Sequence, residues 1–138
     1  MGYAGDLTPS EAHDLVGSDA EAVLVDVRTS AEWSYVGGPV LDEPVREVAR
    51  IEWARFPGGT PNPDFIADLS AVAPDPDAPV VFICRSGVRS VAAAGAATAA
   101  GWRRAFNVSD GFEGPPDTNG HRGTTAGWKA DELSWRQT

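Results

Sequence analysis

The sequence predicts an α/β domain with a mainly parallel central sheet flanked by helices. Three short apolar runs, residues 22–27, 80–83 and 104–108, suit buried strands, and each lies beside a segment with helical signals. With 138 residues the chain suits one domain, 1–138, long enough to bury a core.

Taken in order, "TPSEAHDLV" (8–16) carries a helix start. Thr8 caps, Pro9 suits the first helical position, and Glu11 completes a capping box. "AVLVDV" (22–27) is a continuous apolar run ending near Asp26, the pattern of a strand covered on both faces. "SAEWSYV" (30–36) fits one or two helical turns opened by Ser30, and "VREVARIEW" (45–53) is predicted as a strand. "FPGGTPNP" (56–63) is turn chemistry, after which Asn62 and Pro63 start a helix to about Val72. "APDPDAP" (73–79) is a loop and "VVFI" (80–83) a second buried strand. A helix is expected from about Ser90 to Ala100, stopped by Gly101, and "RAFNV" (104–108) reads as a third parallel strand. The Gly-rich end, 109–138, reads as irregular structure packed back on the domain through Trp128 and Trp135.

Composition excludes several classes. A net charge of -9 argues against general nucleic-acid binding, which needs clustered Lys and Arg. No apolar run reaches the roughly 18 residues of a membrane span. The start "MGYAGDLTPSEAH" has neither a basic nor a hydrophobic signal region, so cytoplasmic residence is expected. A single cysteine leaves no internal disulfide and no Cys-rich zinc site, and no metal site is expected.

That cysteine, Cys84, follows the strand "VVFI" and precedes a helix, with Gly87 between Arg85 and Arg89. In parallel α/β sheets, sites form at the carboxyl ends of strands. A tight turn of backbone N–H groups running into a helix N-terminus receives anions, and a thiol there is favoured as the thiolate. A lone cysteine beside an apolar strand is ordinarily a small buried hydrophobe. The strand–Cys–Gly–Arg–helix arrangement argues for nucleophile and anion receptor together.

"CRSGVRS" (84–90) closely resembles the active-site loop of rhodanese-like domains, which transfer sulfane sulfur through a cysteine persulfide. "LVDVRTSAEW" (24–33) and "AAGAATAAGWRRAFNVSDGFEG" (93–114) are similar to the family's other motifs, in the right order, so the resemblance covers about 8–114. It implies a rhodanese-like three-layer sandwich, with 115–138 as a Gly-rich extension. Two features depart from the family pattern. "YVGGPVLDEPV" (35–45) stands where relatives carry Gly-His-Ile-Pro-Gly-Ala, and Val88 fills an often polar loop position.

The resemblance implies a ping-pong sulfurtransferase. Cys84 takes the outer sulfur of a small anionic donor such as thiosulfate and passes it to cyanide or to a thiol, including a protein thiol. The amides of Arg85, Ser86, Gly87, Val88 and Arg89 would cradle the terminal sulfur. Arg85 would steer the donor, while Arg89 and the Ser86 hydroxyl would support the loop. Asp26, Arg28 and Glu32 are expected to act as scaffold, Arg28 pairing with Glu32. No cofactor is implied beyond the covalent persulfide. The six-residue loop from Cys84 to Arg89 is one residue shorter than that of related phosphatases and arsenate reductases, which favours sulfur. A persulfide carrier remains open, and a phosphatase or arsenate reductase is disfavoured. His13 is expected on the surface, and His121, with Arg122 and Lys129, is a weaker candidate for a lid than for a solvated tail.

Overall fold

The structure, a computed structural model, describes residues 2–42 and 45–137. Its elements are β1 (Gly5–Leu7), α1 (Pro9–Ser18), β2 (Val23–Asp26), α2 (Ser30–Tyr35), β3 (Gly38–Pro39), β4 (Leu41–Asp42), β5 (Val45–Arg46) and β6 (Ala49–Arg50). These are followed by β7 (Ala54–Arg55), β8 (Thr60–Pro61), α3 (Phe65–Val72), β9 (Val80–Ile83), α4 (Val88–Ala100), β10 (Ala105–Val108) and β11 (Trp135–Arg136). The central sheet runs β1-β10-β9-β2-β6 and all its pairings are parallel.

Alternation along the two most buried strands builds the layers. Val25, Val80 and Phe82 pack with Phe65 and Leu69 of α3 and Ala93, Ala94 and Ala97 of α4. Leu24, Val81 and Ile83 face the other way, onto Ala12 and Val16 of α1 together with Phe112 and Trp128. Side chains along a strand point to opposite faces in turn, so a fully apolar VVFI serves both. The alanines of α4 let its backbone lie close to the sheet. The result is the three-layer α/β sandwich expected from the sequence.

Helix α1 starts as predicted. The Thr8 hydroxyl accepts from the Glu11 amide at 3.1 Å and the Glu11 carboxylate accepts from the Thr8 amide at 2.9 Å. Thr29, not Ser30, caps α2, with the same reciprocal bonds to Glu32. Helix α4 opens at Val88, two residues before the expected start, because Gly87 at φ +113° makes the entry turn.

Two elements differ from expectation. The predicted strand 45–53 is split: β5 pairs antiparallel with β4, whereas β6 joins the central sheet beside β2. Arg46 sits at the break, donating to the carbonyls of Val16, Asp19, Ala20 and Ala22 and fixing this segment to the loop after α1. Strand β1, not anticipated, adds an edge beside β10. Glu43 and Pro44, within the 35–45 segment that departs from the family pattern, lie outside the described residues.

The Gly-rich end packs back on the domain through Trp128, as expected. Trp128 is fully buried, its Nε1 donating to the Ser134 carbonyl at 2.8 Å, and β11 pairs with β3. A Cβ at Gly127 would lie 2.9 Å from the Gly114 amide, and one at Gly114 would strike the Ala126 carbonyl. These glycines serve close backbone approach rather than mobility. His13 is half-buried, edge-on to Trp128 at 5.8 Å between ring centroids.

Candidate active site

Cys84 follows β9, the central strand of the sheet, on the face that carries Phe82 and α4. It is 1% exposed. Its Sγ accepts from the Gly87 amide at 3.1 Å and lies 3.1 Å from the Ser90 hydroxyl. Among the loop amides, Gly87 alone is hydrogen-bonded to this sulfur in the described residues, so the expected ring of five donors does not close on Sγ itself. The first turn of α4 begins at the next residue and directs its positive end toward the loop.

The loop is clamped from behind. The Cys84 carbonyl accepts from the Phe112 amide at 2.8 Å, and the Arg85 carbonyl from the amides of Glu113 and Gly114 at 2.9 and 3.1 Å. Gly111, φ +62°, permits this approach, since a Cβ there would meet the carbonyls of both Cys84 and Arg85.

From the front, Arg89 closes on Glu32: Nη1–Oε1 is 2.6 Å and Nη2–Oε2 is 3.0 Å. Burial raises the Glu32 carboxyl, but the hydrogen bonds and charge of Arg89, with the Thr29 amide and Arg28, pull it down further, so the net direction is below its ordinary value. The bond to Glu32 likewise raises Arg89, against the opposing effect of burial.

Arg28 does not pair with Glu32 as expected. Fully buried, it makes a forked bond to Asp26, with Nε–Oδ1 at 2.9 Å and Nη2–Oδ2 at 2.7 Å, and donates to the Gly37 carbonyl at 2.6 Å. Asp26 stands beside Ile83 in the sheet, which places this ion pair next to the strand end that carries the thiol. Proximity explains the exchange: Arg28 lies two residues from Asp26, and Arg89 approaches α2 from the loop. Arg28 Nη1 is buried without a hydrogen-bond partner, and the guanidinium lies over the Phe112 ring at 4.5 Å.

Arg85 is exposed, Ser86 is partly so, and Val88 is 79% exposed. The hydroxyl that reaches the sulfur belongs to Ser90, which sequence reasoning placed only as a helix start. The seventh position of "CRSGVRS" falls one turn into α4, back over Cys84, and that spacing was the available signal. Ser90 in turn donates to Asn107 Oδ1 at 2.5 Å. No group of three or more His, Cys, Asp and Glu side chains placed to hold a metal occurs among the described residues. No described helix is long and apolar enough to cross a membrane.

The rhodanese-like domain family matches residues 8–114 of this chain. The chain belongs to that family. It is 51% identical to Rv0390 of M. tuberculosis, whose crystal structure superposes with a TM-score of 0.90 over 99% of each chain. An uncharacterised protein of Rickettsia conorii, RC0915, is 37% identical over 92% of this chain and 93% of its own. The polysulfide-sulfur transferase homodimer of Wolinella succinogenes shares the fold at 20% identity, with a TM-score of 0.66 over 96% of this chain and 78% of that one. The rhodanese-like fold is thus supported by both sequence and structure, and it is a fold of the sulfurtransferase type.

Proposed function

We propose that this rhodanese-like protein is a sulfurtransferase that carries sulfane sulfur as a persulfide on Cys84. The observation carrying this reading is the thiol at the end of the central strand, facing the Gly87 amide within a loop clamped front and back. The Cys84 thiolate attacks the outer sulfur of a small anionic donor such as thiosulfate. The Cys84–sulfur bond forms, the donor's sulfur–sulfur bond breaks, and sulfite leaves with that electron pair. A thiol or cyanide then attacks the terminal sulfur and the Cys84 thiolate departs.

Exposed Arg85 offers positive charge at the mouth to an incoming anion, and the sheltered thiol favours small donors. The amides of Arg85 to Arg89 would solvate the terminal sulfur, one bond beyond Sγ. The test is incubation with thiosulfate followed by intact mass under non-reducing conditions. Gain of one sulfur atom, removed by cyanide and absent from Cys84→Ser, supports transfer. Turnover of a chromogenic phosphate ester without sulfur uptake would replace the reading with a phosphatase. Delivery of the sulfur only to a protein thiol would make the domain a carrier.

A further inference from the structure

The sheet order β1-β10-β9-β2-β6 leaves β6 at an edge, and among the described residues it pairs with β2 alone. The Ile51 amide bonds to the Asp26 carbonyl. Main-chain groups of successive strand residues turn to opposite sides, so those of Arg50 point away from the sheet. An open edge of this kind can take one more extended strand.

Two cavities adjoin β6 and share Val48 and Arg50 in their walls. One, of about 370 Å³, is completed by Val40, Leu41 and Arg136 among others. The second, of about 500 Å³, is lined by the small apolar residues Ala22, Val23, Ala49 and Val72. Arg50 and Arg136 are exposed, and among the described residues neither forms an ion pair. Glu47, the one acid in the wall of the first cavity, pairs with neither. Arg50 is nonetheless held, its guanidinium over the Trp33 ring at 5.6 Å. Both arginines flank Gly38: Arg136 stands opposite it in the β11–β3 pair, and a Cβ at Gly38 would lie 3.5 Å from Arg50 Nη2. In a chain of net charge -9, two unpaired guanidiniums on one cavity make a local receptor for negative charge.

A second copy of the chain does not suit this edge. Antiparallel strands set side chains of one face against each other. By alternation the face bearing Arg50 carries Arg46 and Val48 before it and Glu52 after it, and the Glu52 carboxylate is taken by the Ser30 amide at 2.9 Å. Two β6 edges would thus oppose arginine to arginine or to valine, with no free acid. We propose that the β6 edge and the Arg50–Arg136 cavity dock an extended acidic segment of a protein partner, its main chain pairing with Arg50 and a carboxylate entering the cavity. A segment alternating acidic and apolar residues matches the two cavities. Arg50 lies opposite Asp26, which lies opposite Ile83, so the partner docks at the end of the sheet that carries Cys84. Docking needs no persulfide and goes beyond the transfer reading.

The test follows amide chemical shifts of the isotope-labelled full chain on titration with acetyl-Glu-Val-Glu-Val-Glu-amide. The peptide should move the amides of Gly38, Val48, Arg50 and Arg136 saturably. Replacing both arginines, Arg50→Gln with Arg136→Gln, should weaken binding on the order of tenfold or more. N-methylation should be tolerated on one alternate set of peptide amides and not on the other, the signature of strand addition. The proposal is overturned by the absence of saturable shifts at millimolar peptide, by wild-type affinity in the double variant, or by equal effects of the two methylated sets. Equal binding of acetyl-Lys-Val-Lys-Val-Lys-amide, or binding of glutarate as tight as that of the peptide, also overturns it. Shifts at the same amides on diluting the protein alone would instead make the edge an interface between copies, which is equally contrary. Cys84→Ser should bind as wild type, so a failure to load sulfur leaves this measurement standing.

Discussion

Arg89 and Glu32 meet in a forked ion pair, 2.6 and 3.0 Å, that ties the active-site loop to α2 across 57 residues of sequence. Both side chains are about three-quarters covered, so solvent screens the pair less than an exposed one. Glu32 is also the capping-box residue of its own helix, so one carboxylate orders α2 and holds the loop. Replacing it with Gln should cost about 1–3 kcal/mol of stability and slow sulfur loading, by stopped-flow, more than binding of the donor.

The pH dependence of that variant carries a sign. Glu32 sits below its ordinary value of 4.5 in the folded protein, so its contribution is complete above that value. It is lost as pH falls through the lower folded value. Melting temperatures of wild type and Glu32→Gln should differ most above pH 4.5 and converge as pH falls through the lower folded value. Parallel curves over that range would show that Glu32 is not the group being titrated.

Two glycines of the site should behave differently. A Cβ at Gly111 would overlap the carbonyls that shape the loop, while at Gly87 the nearest atom is the Asp110 amide at 3.9 Å. Gly87→Ala then meets backbone strain alone, about 1–3 kcal/mol. Gly111→Ala must also displace the loop, and should be the more destabilising in urea and abolish sulfur loading. Equal losses would contradict the clamp described for residues 111–114.

Asp26 and Arg28 offer a test of scaffold against chemistry. Removing Asp26 leaves a fully buried guanidinium without its counter-ion, and Asp26→Ala should lose about 3–5 kcal/mol. Transfer per folded molecule should nevertheless persist when measured below the melting transition. Loss of turnover with unchanged stability would move this pair into the reaction itself.

The segment after Gly114 should behave as part of the fold. Trp128 fills the core between α1 and Phe112, and Trp128→Ala should cost about 3–5 kcal/mol. Hydrogen exchange at the Trp128 amide, bonded to the Gly111 carbonyl at 2.9 Å, should be slow. Exchange as fast as in a free peptide would show that this segment is undocked.

What could be read from the sequence followed where the physics was local. Apolar runs at 22–27 and 80–83, the capping box of Thr8 and Glu11, and the loop signature around Cys84 are short-range signals, and they gave the sandwich and the position of the thiol. What escaped depended on partners distant in sequence. Arg28 chose Asp26 over Glu32 because folding brought Arg89 to Glu32. Ser90 met Asn107 of β10 only once α4 packed on the sheet. The glycines at 114 and 127 carry the composition of a mobile tail, yet tight backbone contact with distant segments demands them. Strand 45–53 broke where Arg46 met carbonyls more than twenty residues earlier.

The most direct test of sulfur carriage is intact mass of the full chain after thiosulfate, before and after cyanide, for wild type and Cys84→Ser. Addition of one sulfur atom to wild type, removed by cyanide and never seen in the variant, is the expected result. A folded wild-type protein that stays unmodified with thiosulfate and with polysulfide, or a Cys84→Ser variant that loads as well as wild type, would contradict a persulfide on Cys84.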